Sequence, residues 1–128
     1  MTTRKDLYET GLAIRREVLG DAYVDQSLRN ADDFTRPFQE FISEYAWGAI
    51  WSRPGLERKT RSLLNLAMLT ALNRPHELAI HVRGAINNGV TLDEMREVFM
   101  HTAVYCGVPA ALDAFRVART IFAEQRQD

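Results

Sequence analysis

The chain has one cysteine, Cys106, among 128 residues. A single thiol excludes intrachain disulfides, CxxC redox pairs and cysteine-rich zinc sites. An excess of charge of one sign is lacking as well. With 16 basic and 17 acidic side chains the net charge is −1, which gives no electrostatic ground for a nucleic acid or an anionic membrane as partner. No apolar run is long enough to span a bilayer; the longest nearly apolar run, from Leu63 to Leu72, falls well short. The N-terminus, Met1-Thr2-Thr3-Arg4-Lys5-Asp6, leads into no apolar stretch of the signal-peptide kind, and the expectation is a soluble cytoplasmic protein. Repeats and low-complexity linkers are missing too. Lysine is nearly absent, with only Lys5 and Lys59 against 14 arginines. That bias fits GC-rich codon usage, or a need for the planar fork that binds carboxylates bidentately. Position has to separate the two.

What is present is helical patterning. Apolar residues make up 46% of the chain, enough for one hydrophobic core and a single domain spanning residues 1–128. Every long segment shows the 3.6-residue period and none alternates. The pattern predicts an all-α bundle of about six helices. The first runs from about Lys5 to Leu19 and stops at Gly20, and a loop or short helix follows from Asp21 to Asp33. A second long helix covers Arg36–Trp51 and is broken by Arg53-Pro54-Gly55. The third covers Leu56–Leu72, apolar nearly all round in its second half and so expected to be central and buried. The fourth opens at Asn73-Arg74-Pro75 and closes at Asn88-Gly89. Thr91 and Glu94 form a capping box for the fifth, which ends at Cys106-Gly107, and the sixth runs from Pro109 to about Gln125.

The second long helix carries an expected inward stripe of Phe38, Phe41, Ile42, Tyr45 and Ala49. Trp47 and Trp51 then lie about 200° and 240° from Tyr45, on the opposite side. Large aromatics off the core, beside Arg53, Arg58 and Arg61, suggest a partner surface or a pocket for an anionic ligand. A monomer would leave both tryptophans as an exposed apolar patch, so a homo-oligomer is expected.

Polar residues on apolar faces are the candidates for chemistry. Arg15 falls in the middle of the face formed by Tyr8, Leu12 and Leu19. A charge there needs a partner, either a protein carboxylate or a bound anion. Arg16, about 100° away, is expected in solvent. Arg58, Arg61 and Asn65 make one polar stripe on the third helix, readable as a solvent-facing edge or as a pocket wall. On the fourth helix His81 lies at the margin of the face formed by Leu78, Val82, Ala85 and Ile86. Glu77 sits one turn before it and Arg74 two turns before. A carboxylate at i−4 can fix an imidazole's tautomer and raise its pKa, as a general acid or base requires; a structural histidine is the alternative. His76 and His101 are weaker candidates. His76 and His81 are five apart, out of register for a shared metal, and no metal is expected.

These residues resemble a known family. Glu77-Leu78-Ala79-Ile80-His81, followed by Ala85-Ile86-Asn87-Asn88-Gly89-Val90-Thr91, Glu94 and Glu97, is similar to the core signature of the carboxymuconolactone decarboxylase family. Tyr105-Cys106-Gly107-Val108-Pro109-Ala110 resembles its closing element. The likeness extends to Arg15-Arg16-Glu17-Val18-Leu19-Gly20 and to the block from Trp47 to Arg61. Tyr23 stands where the family pattern has histidine, and it receives no role.

The resemblance implies an alkylhydroperoxidase-like helical fold, a homo-oligomer (a hexamer built from trimers) and cofactor-free decarboxylation of 4-carboxymuconolactone to the enol-lactone of β-ketoadipate. Loss of CO2 pushes electrons through the ring double bond into the lactone carbonyl, and the α-carbon of the dienolate is then protonated. The lactone is its own electron sink, so neither cofactor nor metal is needed. His81 and Glu77 would handle the proton, while Arg15, Arg53, Arg61 and Arg74, with Trp47 and Trp51, would bind a dicarboxylate substrate. The superfamily's peroxidases use a CxxC pair where this chain has Arg74 and Glu77, so thiol peroxidase chemistry is not expected. The other readings are a related superfamily decarboxylase or peroxidase, or a non-catalytic oligomer that binds a small molecule.

Overall fold

A computed structural model describes residues 1–126, whose regular elements are all helices, with no strand among the described residues. The helices are α1 (Arg4–Leu19), α2 (Asp21–Asn30), α3 (Arg36–Ile42) running on into a π-helical segment (Ser43–Ile50), α4 (Arg58–Ala71), α5 (Pro75–Asn87), α6 (Leu92–Cys106) and α7 (Val108–Arg126). The expected all-α architecture holds. The third helix starts at Arg58 rather than Leu56, and the segment after Gly20 is a helix of its own. The chain divides into two compact units, Met1–Glu57 and Arg58–Asp128, described in turn.

In the first unit, Thr3 caps α1: its hydroxyl accepts from the Asp6 amide at 3.1 Å while the Asp6 carboxylate accepts from the Thr3 amide at 3.0 Å. Gly20 ends the helix at φ +92°, a conformation that costs glycine little. The π segment is marked by the Trp51 amide donating to the Ala46 carbonyl five residues back, at 3.0 Å. It packs closely on α1. A Cβ at Gly11 would collide with the Ser43 carbonyl oxygen, and one at Gly48 with the Leu7 carbonyl oxygen.

That close approach overturns the expected orientation of this helix. Trp47 (4% exposed) and Trp51 (9%) are the buried residues, stacked at 4.8 Å between ring centroids and clustered with Ile14 and Val18. Phe38, Phe41 and Tyr45 are exposed, stacked on one another at 6.2 and 5.2 Å. For the aromatic residues the periodicity exchanged inside and outside, whereas Ile42 of the expected inward stripe does pack against the tryptophan cluster. The contact face is selected by the small residues Gly11, Ser43 and Gly48, which allow the backbones to meet, and the tryptophans fill the space beside them. The oligomer argument based on exposed tryptophans therefore fails.

The second unit is built around a core of Leu66, Leu78, Val82, Ala85, Val90, Met95, Phe99, Ala114, Ala118 and Ile121, drawn from α4 to α7. Pro75 occupies the first turn of α5, and the Thr91–Glu94 capping box opens α6 as expected. The α4 helix is not buried all round. Ser62, Leu66 and Thr70 point inward, whereas Leu64, Met68 and Leu72, spaced four apart, are exposed. Lys59 on α4 pairs with Glu94 on α6 at 2.9 Å, and the Asn88 amide donates to the Ser62 hydroxyl at 2.9 Å. Among the described residues no helix is long and apolar enough to cross a membrane.

Candidate active site

The site begins with the seating of α5. Leu78, Val82 and Ala85 are buried in the second unit's core, which fixes the rotation of the helix. His81 is thereby held at the core margin, half-buried, with the exposed Glu77 one turn before it. Burial pushes the imidazole below its ordinary pKa of 6.5, and the Glu77 charge works in the opposite direction. From α4, Asn65 approaches so that its Nδ2 lies 3.4 Å from His81 Nδ1.

Asn65 belongs to the polar stripe with Arg58 and Arg61, and the structure decides how that stripe is placed. All three residues are half-buried, on a helix whose neighbouring residues Ser62 and Leu66 are fully buried. Because Asn65 meets His81, the i−4 and i−7 positions carry Arg61 and Arg58 on the same side of α4. The second unit thus brings together His81, Glu77 and Asn65, with Arg61 one helical turn before Asn65 on α4. Arg74 is further off. It is exposed at the N-cap of α5, two turns or about 10 Å along the axis from His81, lining a small cleft with Asp113 and Ala110.

The remaining expected site residues belong to the first unit. Arg15 is buried, with 4% of its surface exposed, as its place on the apolar face predicts. Among the described residues no carboxylate pairs with it. Burial lowers its pKa, and the phenols of Tyr23, which hydrogen-bonds to it, and Tyr8 work in the opposite direction. Its Nε and Nη1 are buried without a hydrogen-bond partner. Tyr23, given no role above, is thus the side chain that supports Arg15; no signal in the helical periodicity pointed to it. Arg16, expected in solvent, pairs with Asp21 at 3.2 Å and Asp25 at 2.7 Å. Trp47 and Trp51 are enclosed in the unit's core, and Arg53 is exposed in the turn that follows.

Other candidates carry less. His76 is exposed, and His101 is exposed with its ring 4.9 Å from that of Tyr105. Cys106 is a free, exposed thiol. Among the described residues no group of three or more His, Cys, Asp or Glu side chains is placed to hold a metal ion. An open cleft of about 300 Å³ between α6 and α7, lined by Met95, Phe99, Phe115, Phe122, Arg96 and Arg119, contains none of the acid–base candidates.

Residues 36–120 match the Carboxymuconolactone decarboxylase family. The chain is 50% identical over 115 residues to a 4-carboxymuconolactone decarboxylase of Acinetobacter baylyi, covering 90% of this chain and 86% of that one. It is 52% identical over 113 residues to a nitrosuccinic acid decarboxylase of Metarhizium robertsii, covering 88% and 79%. A 4-carboxymuconolactone decarboxylase of Pseudomonas putida is 48% identical over 44 residues, 34% of this chain and 92% of that one. The chain belongs to the carboxymuconolactone decarboxylase family.

Proposed function

We propose that the protein is a cofactor-free carboxy-lyase that converts 4-carboxymuconolactone into the enol-lactone of β-ketoadipate, in the catabolism of protocatechuate. The observation that carries this reading is the half-buried His81, one turn from Glu77 and 3.4 Å from Asn65 on α4, the helix that also carries Arg61. Half-identity to a 4-carboxymuconolactone decarboxylase over nine-tenths of the chain supplies the substrate class.

The chemistry follows from the substrate. The bond from the γ-carbon to its carboxylate breaks and CO2 leaves. The electron pair moves through the ring double bond onto the lactone carbonyl oxygen, and the resulting dienolate takes one proton at its α-carbon. The protein has to anchor one carboxylate, weaken the solvation of the other, stabilise the oxyanion and supply that proton. Arg61, on the same helix as Asn65, is the carboxylate anchor of the second unit in this proposal, and Arg15 is an anion anchor within the first unit. Arg15 suits the task because its charge is desolvated and two of its nitrogens lack partners, so an anion gains more there than at a solvated arginine. Arg53 and Arg74 remain as further cationic contacts, and Trp47 and Trp51 stiffen the first unit around Arg15's helix. Burial shifts His81 toward its neutral form. The two negative charges of the substrate favour its protonated form, so the ring takes up a proton on binding and delivers it to the α-carbon.

The nitrosuccinic acid decarboxylase relative favours a second reading. Nitrosuccinate is also a dicarboxylate carrying its own electron-accepting group. Measuring CO2 release from both compounds with EDTA-treated protein tests the proposal. A kcat/KM for 4-carboxymuconolactone at least tenfold above that for nitrosuccinate supports it, and the reverse order replaces it with the second reading. A requirement for added divalent ion overturns the cofactor-free mechanism.

The proposal includes a cytoplasmic homo-oligomer, a hexamer built from trimers. The exposed aromatic ladder of Phe38, Phe41 and Tyr45 and the exposed α4 stripe of Leu64, Met68 and Leu72 are the apolar faces that assembly would cover.

A further inference from the structure

The apolar interior of the first unit encloses a charge. Arg15 keeps 4% of its surface exposed, and Ile14 and Val18, on the same helix, pack with Trp47 and Trp51. A guanidinium has five N–H donors, one on Nε and two on each Nη. Nε and Nη1 are buried without a partner, which leaves three of those five donors unused and gives the Tyr23 hydrogen bond to Nη2. A neutral molecule could satisfy these donors but would leave the buried charge unmatched. An anion does both.

The phenol beside the guanidinium narrows the class of anion. Its oxygen can accept from Nη2 while its O–H donates onward, so Tyr23 offers a further donor to a group held on Arg15. One cation with one hydroxyl suits a singly charged group with two oxygens, whereas phosphate brings more charge and more oxygens than they can satisfy. We infer that Arg15 and Tyr23 together form a carboxylate-binding site inside the first unit, with Tyr23 a binding residue in its own right. This rests on the reading of Arg15 as an anion anchor. Access depends on α2, which carries Tyr23. That helix is joined to α1 at Gly20, φ +92°, and tied to it by Arg16, which pairs with Asp21 at 3.2 Å and Asp25 at 2.7 Å. Ion pairs with carboxylates this exposed hold only weakly, so α2 can shift to admit the carboxylate and bring Tyr23 back over it.

The probe is succinate, titrated into the full-length protein at constant ionic strength and followed by calorimetry and by tryptophan fluorescence. The chain has two tryptophans, Trp47 and Trp51, both clustered with Ile14, so the fluorescence reports on the first unit. Wild type should bind saturably, with heat and fluorescence following one curve. Arg15→Met should lose this binding. Tyr23→Phe removes only the hydroxyl and should weaken it about tenfold or more, the scale of a hydrogen bond to a charged group. Tyr45→Phe, altered on the exposed aromatic ladder, should bind as wild type does. Three results overturn the inference: no saturable binding by wild type, heat without a fluorescence change, or inorganic phosphate bound as tightly as succinate. A Tyr23→Phe protein with unaltered affinity, while Arg15→Met has lost it, removes Tyr23 and leaves the reading of Arg15 standing. Undiminished binding by Arg15→Met removes that reading as well. Thermal unfolding of each variant separates lost binding from lost fold.

Discussion

At the scale of single residues, His81 and Arg15 are two ionisable groups that folding disfavours in their charged forms, with opposite counterparts. His81 has the charge of Glu77, and Arg15 has only phenols. The Glu77 charge is what raises the His81 pKa against burial, so Glu77→Gln should lower it, which a histidine proton titration by NMR reads directly. An unchanged or raised value would mean that Glu77 acts on some other group. The sign for stability follows from the same shift. His81 has a folded-state pKa below its unfolded value, so its contribution is present above about pH 6.5 and is lost as pH falls through the lowered pKa. For Arg15, Arg15→Met keeps the apolar stem and removes the charge. If Arg15 anchors a substrate carboxylate, KM should rise while thermal stability holds or improves, since no protein carboxylate is left unpaired. Lost stability with unchanged KM would assign it a structural role instead.

At the scale of the elements, the clearest prediction concerns the contact between α1 and the π segment. Gly48→Ala places a methyl group against the Leu7 carbonyl oxygen, and overpacking of this kind costs about 1–3 kcal/mol. The midpoint of thermal unfolding should fall accordingly, and an unchanged midpoint would show that the contact is looser than described. This contact also shows where reading the sequence stops. Glu77 and His81, or Thr91 and Glu94, lie within one helical turn; the capping box stands as expected, whereas Glu77 acts on His81 only through its charge and burial leaves the His81 pKa lowered rather than raised. Arg15's burial was likewise legible from its angle on an apolar face. The orientation of the Phe38–Trp51 stretch was not. Two apolar faces lay opposite each other, and hydrophobicity favoured the phenylalanines. The deciding property was the smallness of Gly11, Ser43 and Gly48, which acts only once two helices meet. The pairing of Asn65 with His81, and of Arg15 with Tyr23, was hidden for the same reason: each depends on how one helix packs against another.

At the scale of the whole molecule, the 14.6 kDa chain exposes Phe34, Phe38, Phe41 and Tyr45 in its first unit and Leu64, Met68 and Leu72 in its second, side chains of the kind that subunit contacts cover. Light scattering at micromolar concentration should give a mass several times that of one chain, and Phe41→Glu should reduce it if the aromatic ladder is a subunit contact. A single-chain mass for the wild type would remove the oligomer from the account. The central claim is that this molecule decarboxylates 4-carboxymuconolactone with His81 handling the proton, and one comparison tests it most directly: the rate of CO2 release from freshly prepared lactone by wild-type protein and by His81→Gln. Glutamine keeps polarity and much of the volume but supplies no proton at neutral pH. General acid–base groups contribute about 10²–10⁴-fold, so kcat should fall by that factor in a variant that still folds and assembles. A His81→Gln protein with kcat within about threefold of wild type lies far outside that range and would contradict the account.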